Sequence, residues 1–199
     1  KNLEFVGGFE HKKHKDVKSN HIVDKVTKNK KIIGIGETGL DFYYNHSEKK
    51  DQISSFYEHI DASQKTYLPL VVHTRSAEEE TLKILKESIQ KKNLKILIHC
   101  FTGTKSFAFK LLDIGAYISA SGVVTFKKSN DLANTFKEIP SDRILVETDS
   151  PYLAPEPLRG KTNEPSYITH TVKFLSKLKN IPFEDFSNLT SQNFFRLFG

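Results

Sequence analysis

Apolar residues recur along the chain in six short runs, separated by longer stretches with helical spacing of apolar positions. The runs contain few polar positions, which is typical of parallel strands buried on both faces. The predicted strands are Leu3–Val6, Ile32–Gly36, Leu70–His73, Lys95–His99, Ala116–Ala120 and Ile144–Glu147.

The stretches between these runs predict amphipathic helices. Segment 48–67 would place four residues on one face: Ile53, Phe56, Ile60 and Tyr67. Ser76 and Glu79 predict a capping box at the start of the next helix. Three further helices are predicted over 104–114, 163–180 and 182–199.

Strands that alternate with helices predict a parallel sheet. The predicted strands end at about residues 37, 73, 99, 120 and 148, and these intervals approach the roughly 30 residues of one unit in an eightfold barrel. Six strand–helix units are visible in the sequence, whereas a closed barrel of this type has eight. The sequence therefore predicts an α/β fold, either a (β/α)8 TIM-type barrel lacking its first one or two strands in the chain as given, or an open doubly wound sheet. No linker or composition break is visible, so residues 1–199 are predicted to form one domain.

Composition narrows the function classes. Of the 199 residues, 37% are hydrophobic, no apolar run could span a membrane, and no signal peptide is visible at the start. The single cysteine, Cys100, excludes an internal disulfide and favours a reducing compartment such as the cytoplasm. The net charge of +6 suits a polyanionic partner, although lysine-rich helices can also be simply solvated.

Four predicted strands deliver a potential metal ligand at the same end. These residues are Glu37, His73, His99 and the pair Glu147 and Asp149. In a parallel barrel the carboxyl ends of the strands converge on one mouth, where the active site lies. Histidines and carboxylates together can bind Zn, Mn or Mg. The alternative for the carboxylates is a buried ion pair, for instance with Arg75 or Lys95.

The segment "GIGETG", residues 34–39, matches a dinucleotide-binding pattern. That pattern requires a helix directly afterwards and an acidic residue about 20 positions further on. Here "LDFYYNHSEK" follows, which is not a helix start. We therefore expect no nucleotide cofactor.

Six motifs carry a family resemblance from about residue 30 to the C-terminus. They are "IGETGLDFYYN" (35–45), "LPLVVHTRSAEEETL" (68–82), "ILIHCFTG" (96–103), "YISASGVVTFK" (117–127), "VETDSPYLAP" (146–155) and "RGKTNEPSYI" (159–168). In their order and spacing the chain resembles the TatD family of metal-dependent deoxyribonucleases.

This resemblance implies a (β/α)8 barrel that hydrolyses DNA phosphodiesters with one or two divalent metal ions. The implied metal ligands are Glu37, His73, His99 and Asp149, and Asp149 would also take the proton from the attacking water. Arg75 could clamp a phosphate or pair with neighbouring glutamates, and Arg159 could line the mouth.

The chain departs from the family pattern near its start. The family begins with a strand ending in a His-x-His pair, whereas "HKKH" (11–14) has different spacing, and Phe9 stands where a further histidine would fall. About 60 residues of such a protein are therefore expected to be absent or altered, either because the record is incomplete or because this is a truncated paralogue.

Three functions follow from these residues. The first is a deoxyribonuclease, acting as an exonuclease at strand ends. The second is a metal-dependent hydrolase of small molecules on the same barrel. The third, motivated by the missing His-x-His pair, is a degenerate barrel that binds nucleic acid without catalysis.

Overall fold

The computed structural model of the chain describes residues 4–7, 17–44 and 46–199. The chain divides into two compact units: Lys1–His99 with Ile114–Ala116 and Leu197–Gly199, and Cys100–Asp113 with Tyr117–Arg196. The "HKKH" segment and Phe9 lie outside the described residues. The single-domain organisation of 1–199 stays a prediction.

The first unit has four parallel strands and three helices in the part of the chain that the structure describes. In order they are β1 (Glu4–Gly7), α1 (Ser19–Lys28), β2 (Ile32–Asp41), α2 (Lys49–Thr66), β3 (Leu70–Arg75), α3 (Glu78–Lys91) and β4 (Ile96–Ile98). Each strand pairs in parallel with the next one along the chain. Because each connection includes a helix, both faces of the central strands can be covered.

The core of the first unit confirms that its strands are buried. Leu70, Val72 and Ile98 are fully buried. Phe56 of α2 and Leu85 of α3 are fully buried as well, because each helix turns its apolar stripe inward.

Two expectations at helix ends are wrong. Tyr67 follows the last residue of α2 with a left-handed φ of 61°, which turns its side chain outward, where it is 73% exposed. Ser76 also has a positive φ, of 52°, and Ala77 is the N-cap of α3. The predicted capping box is therefore absent, and three glutamates in the first turn of α3 complement the helix dipole instead.

The second unit has two strands and four helices among the described residues. They are α4 (Lys105–Leu112), β5 (Tyr117–Ala120), α5 (Asn130–Glu138), β6 (Ile144–Val146), α6 (Ile168–Lys179) and α7 (Phe183–Phe198). β5 and β6 pair in parallel. Phe101, Phe107 and Phe136 pack together at ring distances of 6.1 and 6.2 Å. All six strands predicted from the apolar runs are thus present, and none of the described helices has the length and hydropathy to cross a membrane.

Candidate metal centre

Glu37 lies inside β2 and not at the strand end that the sequence predicted. β2 continues to Asp41, and its pairing with β3 shifts between Ile35 and Thr38. Three steps along β2 there correspond to two along β3, from Leu70 to Val72, which is the signature of a β-bulge. A bulge redirects a side chain and often occurs beside an active site. Gly36 and Glu37 lie in the bulge, and Glu37 keeps 39% of its side chain exposed.

The glycines of "GIGETG" allow β2 and β3 to approach each other closely. A Cβ on Gly36 would lie 2.5 Å from the carbonyl oxygen of Val71, and one on Gly39 would lie 2.0 Å from that of His73. Both glycines also have positive φ values, 143° and 138°. The segment is therefore a strand with glycines required by packing, and no helix begins directly after it.

Glu37 contacts both predicted histidine ligands. Its Oε1 lies 3.3 Å from Nδ1 of His73, and its Oε2 lies 3.5 Å from Nε2 of His99. His73 is on β3, and His99 directly follows β4, with its backbone N–H donating to the Val72 carbonyl at 2.9 Å. Three of the four predicted ligands therefore come together in the first unit, each held by a neighbouring strand.

Asp41 is a further carboxylate beside the candidate ligands, which the sequence reasoning missed. Its Oδ2 lies 3.3 Å from Nε2 of His73, and its Oδ1 accepts the backbone N–H groups of Tyr43 and Tyr44, both at 2.9 Å. Burial raises the pKa of this carboxyl, but the two amides and His73 outweigh it, so its pKa lies below the ordinary 3.8. The only signal in the sequence was its place four residues after Glu37.

Asp41 can orient His73 for metal binding. A carboxylate only accepts hydrogen bonds, so a hydrogen bond between Asp41 and Nε2 of His73 requires the proton on Nε2. Nδ1, on the side of Glu37, would then have its lone pair available to a metal ion. A carboxylate that orients a metal-binding histidine in this way is a common arrangement around protein metal ions.

The two donor pairs that Glu37 makes, one through each carboxylate oxygen, have separations that fit a divalent metal ion. Ligand atoms about 2.0–2.2 Å from one ion lie about 3–3.5 Å from each other. The separations of 3.3 and 3.5 Å between Glu37 and the two histidines fall in this range. Imidazole nitrogens with a carboxylate suit zinc and manganese, and the carboxylate also suits magnesium.

Asp149, the fourth predicted ligand, lies in the second unit on the loop after β6. It has a left-handed φ of 57°, and its carbonyl accepts the N–H of Tyr152 at 3.0 Å. A carboxylate oxygen of Glu147 lies within 4.8 Å of one of Asp149.

Asn163 holds the loop that carries Asp149. Its side chain is 3% exposed and donates to the carbonyls of Thr148 and Tyr152, at 2.7 and 2.6 Å. Its own backbone N–H donates to the Pro151 carbonyl at 3.0 Å. These bonds fix the backbone on both sides of Asp149, so Asn163 positions that carboxylate.

The two predicted substrate-binding arginines both stack on aromatic rings. The guanidinium of Arg75 lies 4.5 Å from the ring centre of Tyr43 and 4.6 Å from that of Tyr44. The guanidinium of Arg159 lies 3.7 Å from the ring centre of Phe126. Both arginines are exposed, and their roles in substrate binding stay predictions.

A parallel α/β fold with histidines and carboxylates gathered on its strands is the arrangement typical of metal-dependent hydrolases of the TIM-barrel class. Comparison with known sequences agrees and is more specific. Residues 8–199 match the TatD_DNase family, described as TatD related DNase. The chain belongs to this family.

Individual relatives lead to the same family. The chain is 47% identical over 176 residues to an uncharacterized metal-dependent hydrolase of Buchnera aphidicola, covering 88% of this chain and 66% of the relative. It is 44% identical over 167 residues to the uncharacterized metal-dependent hydrolase YcfH of Escherichia coli, covering 84% and 63%. The chain thus spans a little under two thirds of these relatives.

A solved structure supports the fold class. The crystal structure of a TatD family hydrolase from Entamoeba histolytica has a TM-score of 0.80 and 28% sequence identity, covering 90% of this chain and 67% of that one. The predicted family and the α/β fold of TIM-barrel type are confirmed. The described residues supply six parallel strands of that fold.

Proposed function

We propose that the chain is part of a divalent-metal-dependent deoxyribonuclease that removes nucleotides from DNA ends. The observation that carries the proposal is Glu37, which lies within 3.5 Å of both His73 and His99. The family description and the net charge of +6, which suits a polyanionic substrate, support DNA. The single cysteine supports a cytoplasmic location.

In this proposal Glu37, His73, His99 and Asp149 are the metal ligands, and residues 1–199 act as one catalytic domain. A divalent ion bound there, whether magnesium, manganese or zinc, would lower the pKa of a water molecule and offset charge on the phosphate. Asp149 would accept the proton of the attacking water as a general base. Asp41 keeps the Nδ1 lone pair of His73 directed towards Glu37.

The two arginines bind the substrate. Arg75 is exposed two residues beyond His73 on β3, so its guanidinium can neutralise a phosphate next to the scissile one. Arg159, exposed beside Phe126, contacts the DNA backbone.

The test is hydrolysis of end-labelled oligonucleotides by the intact protein with added Mg²⁺ or Mn²⁺. Wild type should release nucleotides, and EDTA should stop the reaction. His99→Ala and Asp149→Asn should lower kcat about 10²–10⁴-fold, the range for loss of a positioned catalytic group. Metal content, measured by mass spectrometry, should fall in His99→Ala.

Two surface changes are matched controls: His21→Ala on α1 and Asp142→Asn before β6, because both residues are exposed. They should leave turnover unchanged. Wild-type turnover in both site variants would reject the proposed site. Faster turnover of small phosphoesters than of oligonucleotides would favour the small-molecule hydrolase, and DNA binding by metal-free, inactive protein would favour the non-catalytic alternative.

A further inference from the structure

Two neighbouring tyrosines stand exposed directly after β2. Tyr43 is 61% exposed and Tyr44 is 53% exposed, and their rings meet edge to face at 4.9 Å. The exposed ring of His46 stacks on Tyr44 at 5.6 Å. Aromatic side chains left this exposed next to a candidate active site are characteristic of a binding surface.

Arg75 joins these rings into one surface. Its guanidinium lies against both tyrosines, at 4.5 and 4.6 Å from the ring centres. The register between β2 and β3 places Arg75 opposite Asp41, and the backbone N–H of Phe42 donates to the Arg75 carbonyl at 3.0 Å. The cation is therefore held in place by the rings and by the strand from which it projects.

The surface is attached to the candidate metal centre through one carboxylate. Asp41 accepts the N–H groups of Tyr43 and Tyr44 with Oδ1, and its Oδ2 contacts His73. Arg75 follows His73 by two residues, roughly 7 Å along the strand, and neighbouring residues of that spacing share a face. The tyrosines and Arg75 are thus attached to the same strands that carry His73 and Glu37, two of the candidate ligands.

We propose that Tyr43, Tyr44 and Arg75 form a tyrosine platform that stacks an unpaired nucleobase and binds its phosphate beside the metal centre. This inference rests on the proposed function, since it names the form of DNA that the site accepts. The ring face that Arg75 leaves open binds the flat base, and the guanidinium binds the phosphate, a combination common in proteins that bind single strands.

The chemistry favours a single-stranded end over a duplex. Every base has a flat face for stacking, so the platform is tolerant of sequence. A base within a duplex has both faces covered by its neighbours, and an unpaired one does not. A site for phosphate alone would need the cation but not two exposed rings.

Binding of fluorescent oligonucleotides in EDTA, where no turnover occurs, tests the platform in the intact protein. Tyr43→Ala and Tyr44→Ala should each weaken binding of a single-stranded oligothymidylate about 5- to 150-fold, the effect expected for one lost base stack. The Phe variants, which keep the rings, should retain most of the affinity. An oligonucleotide with abasic sites should bind wild type and the Ala variants equally.

Tyr67→Ala is the matched control. Tyr67 is also exposed, at 73%, and also faces a cation, with Lys92 Nζ 4.7 Å from its ring centre, but it precedes β3 while Arg75 ends that strand. This variant should bind like wild type.

The outcomes separate the two proposals. If Tyr43→Ala and Tyr44→Ala bind the oligothymidylate like wild type, or lose the same factor on the abasic strand, the platform is wrong even if DNA is hydrolysed. Absence of oligonucleotide binding by wild type would also overturn it. If binding falls as expected but no DNA is cut with Mg²⁺ or Mn²⁺, the platform stands and the nuclease proposal fails.

Discussion

The two units hold their candidate ligands by different means. In the first unit Glu37 and His73 lie within paired strands, and His99 directly follows one. In the second unit Asp149 lies on an irregular loop, and a buried amide, Asn163, ties the backbone around it. The strand ladder positions a side chain by repeated backbone bonds, whereas the loop depends on one side chain. We therefore expect changes in the packing between strands to displace the ligands of the first unit, and loss of a few hydrogen bonds to displace Asp149.

The strand-held ligands should be most sensitive to the space between β2 and β3. Gly39→Ala should destabilise the fold by about 3–5 kcal/mol, because its Cβ would overlap the His73 carbonyl, 2.0 Å away. Thermal or urea unfolding measures this, and metal affinity should fall as well.

Gly115→Ala is the control for backbone strain. Gly115 also has a positive φ, of 82°, but a Cβ there would meet nothing within 4 Å. Its cost should be only about 1–2 kcal/mol. Equal losses in the two variants would show that strain, and not the approach of the two strands, determines the requirement for Gly39.

The loop-held ligand should be most sensitive to Asn163. Asn163→Ala leaves the carbonyls of Thr148 and Tyr152 without their donor, so the fold should lose about 2–3 kcal/mol and turnover should fall. Chemical denaturation gives the first quantity, and oligonucleotide hydrolysis gives the second.

Asn193→Ala separates a loss of stability from a loss of activity. This asparagine is equally buried and also donates to two carbonyls of the second unit, those of Ser141 and Ile144, both at 2.9 Å. It should lose similar stability but keep its activity below the unfolding transition. A matched loss of activity in both would mean that Asn163 acts only through global stability.

The smallest effect is expected for Asp41→Asn, which alters how His73 is held without emptying the site. The amide can face Nε2 of His73 with its NH₂ group, which shifts the ring proton to Nδ1, the atom directed at Glu37. Affinity for Mn²⁺ or Zn²⁺, measured by calorimetry, should fall about 10- to 100-fold.

Asp61→Asn removes a carboxylate from an exposed ion pair with Lys65 and should leave metal affinity unchanged. If the Asp41 variant binds metal as tightly as the Asp61 variant, Asp41 has no part in orienting His73.

Apolar runs were sufficient to locate the strands, because a strand that is buried on both faces is an uninterrupted run of apolar residues. The apolar run predicted that β2 ends at Gly36, which is too early. The segment "GETGLD" is polar and rich in glycine, but its pairing with β3 continues through a bulge. Helices α1 and α5 were not predicted because their apolar positions are few.

The candidate site was predicted residue by residue where ligands follow apolar strands, as with His73 and His99. The role of Asp41 could not be predicted, because it arises from the register that sets β2 against β3. The Asn163 side chain donates to the carbonyl of Thr148, 15 residues earlier in the chain. No short sequence pattern predicts a contact between positions that far apart. The roles of Glu37, His73, His99 and Asp149 as metal ligands stay predictions.

The shared carboxylate of Asp41 has a thermodynamic consequence. Its Oδ1 accepts the amides of the turn at 43–44 and its Oδ2 contacts His73, so a ligand that orders the turn should also steady the imidazole ring, and the reverse should hold. Linkage makes such coupling reciprocal: an oligonucleotide that tightens ion binding by some factor must itself be bound more tightly by that same factor once the ion is present. A substrate of the right kind would then help to load the centre that cleaves it.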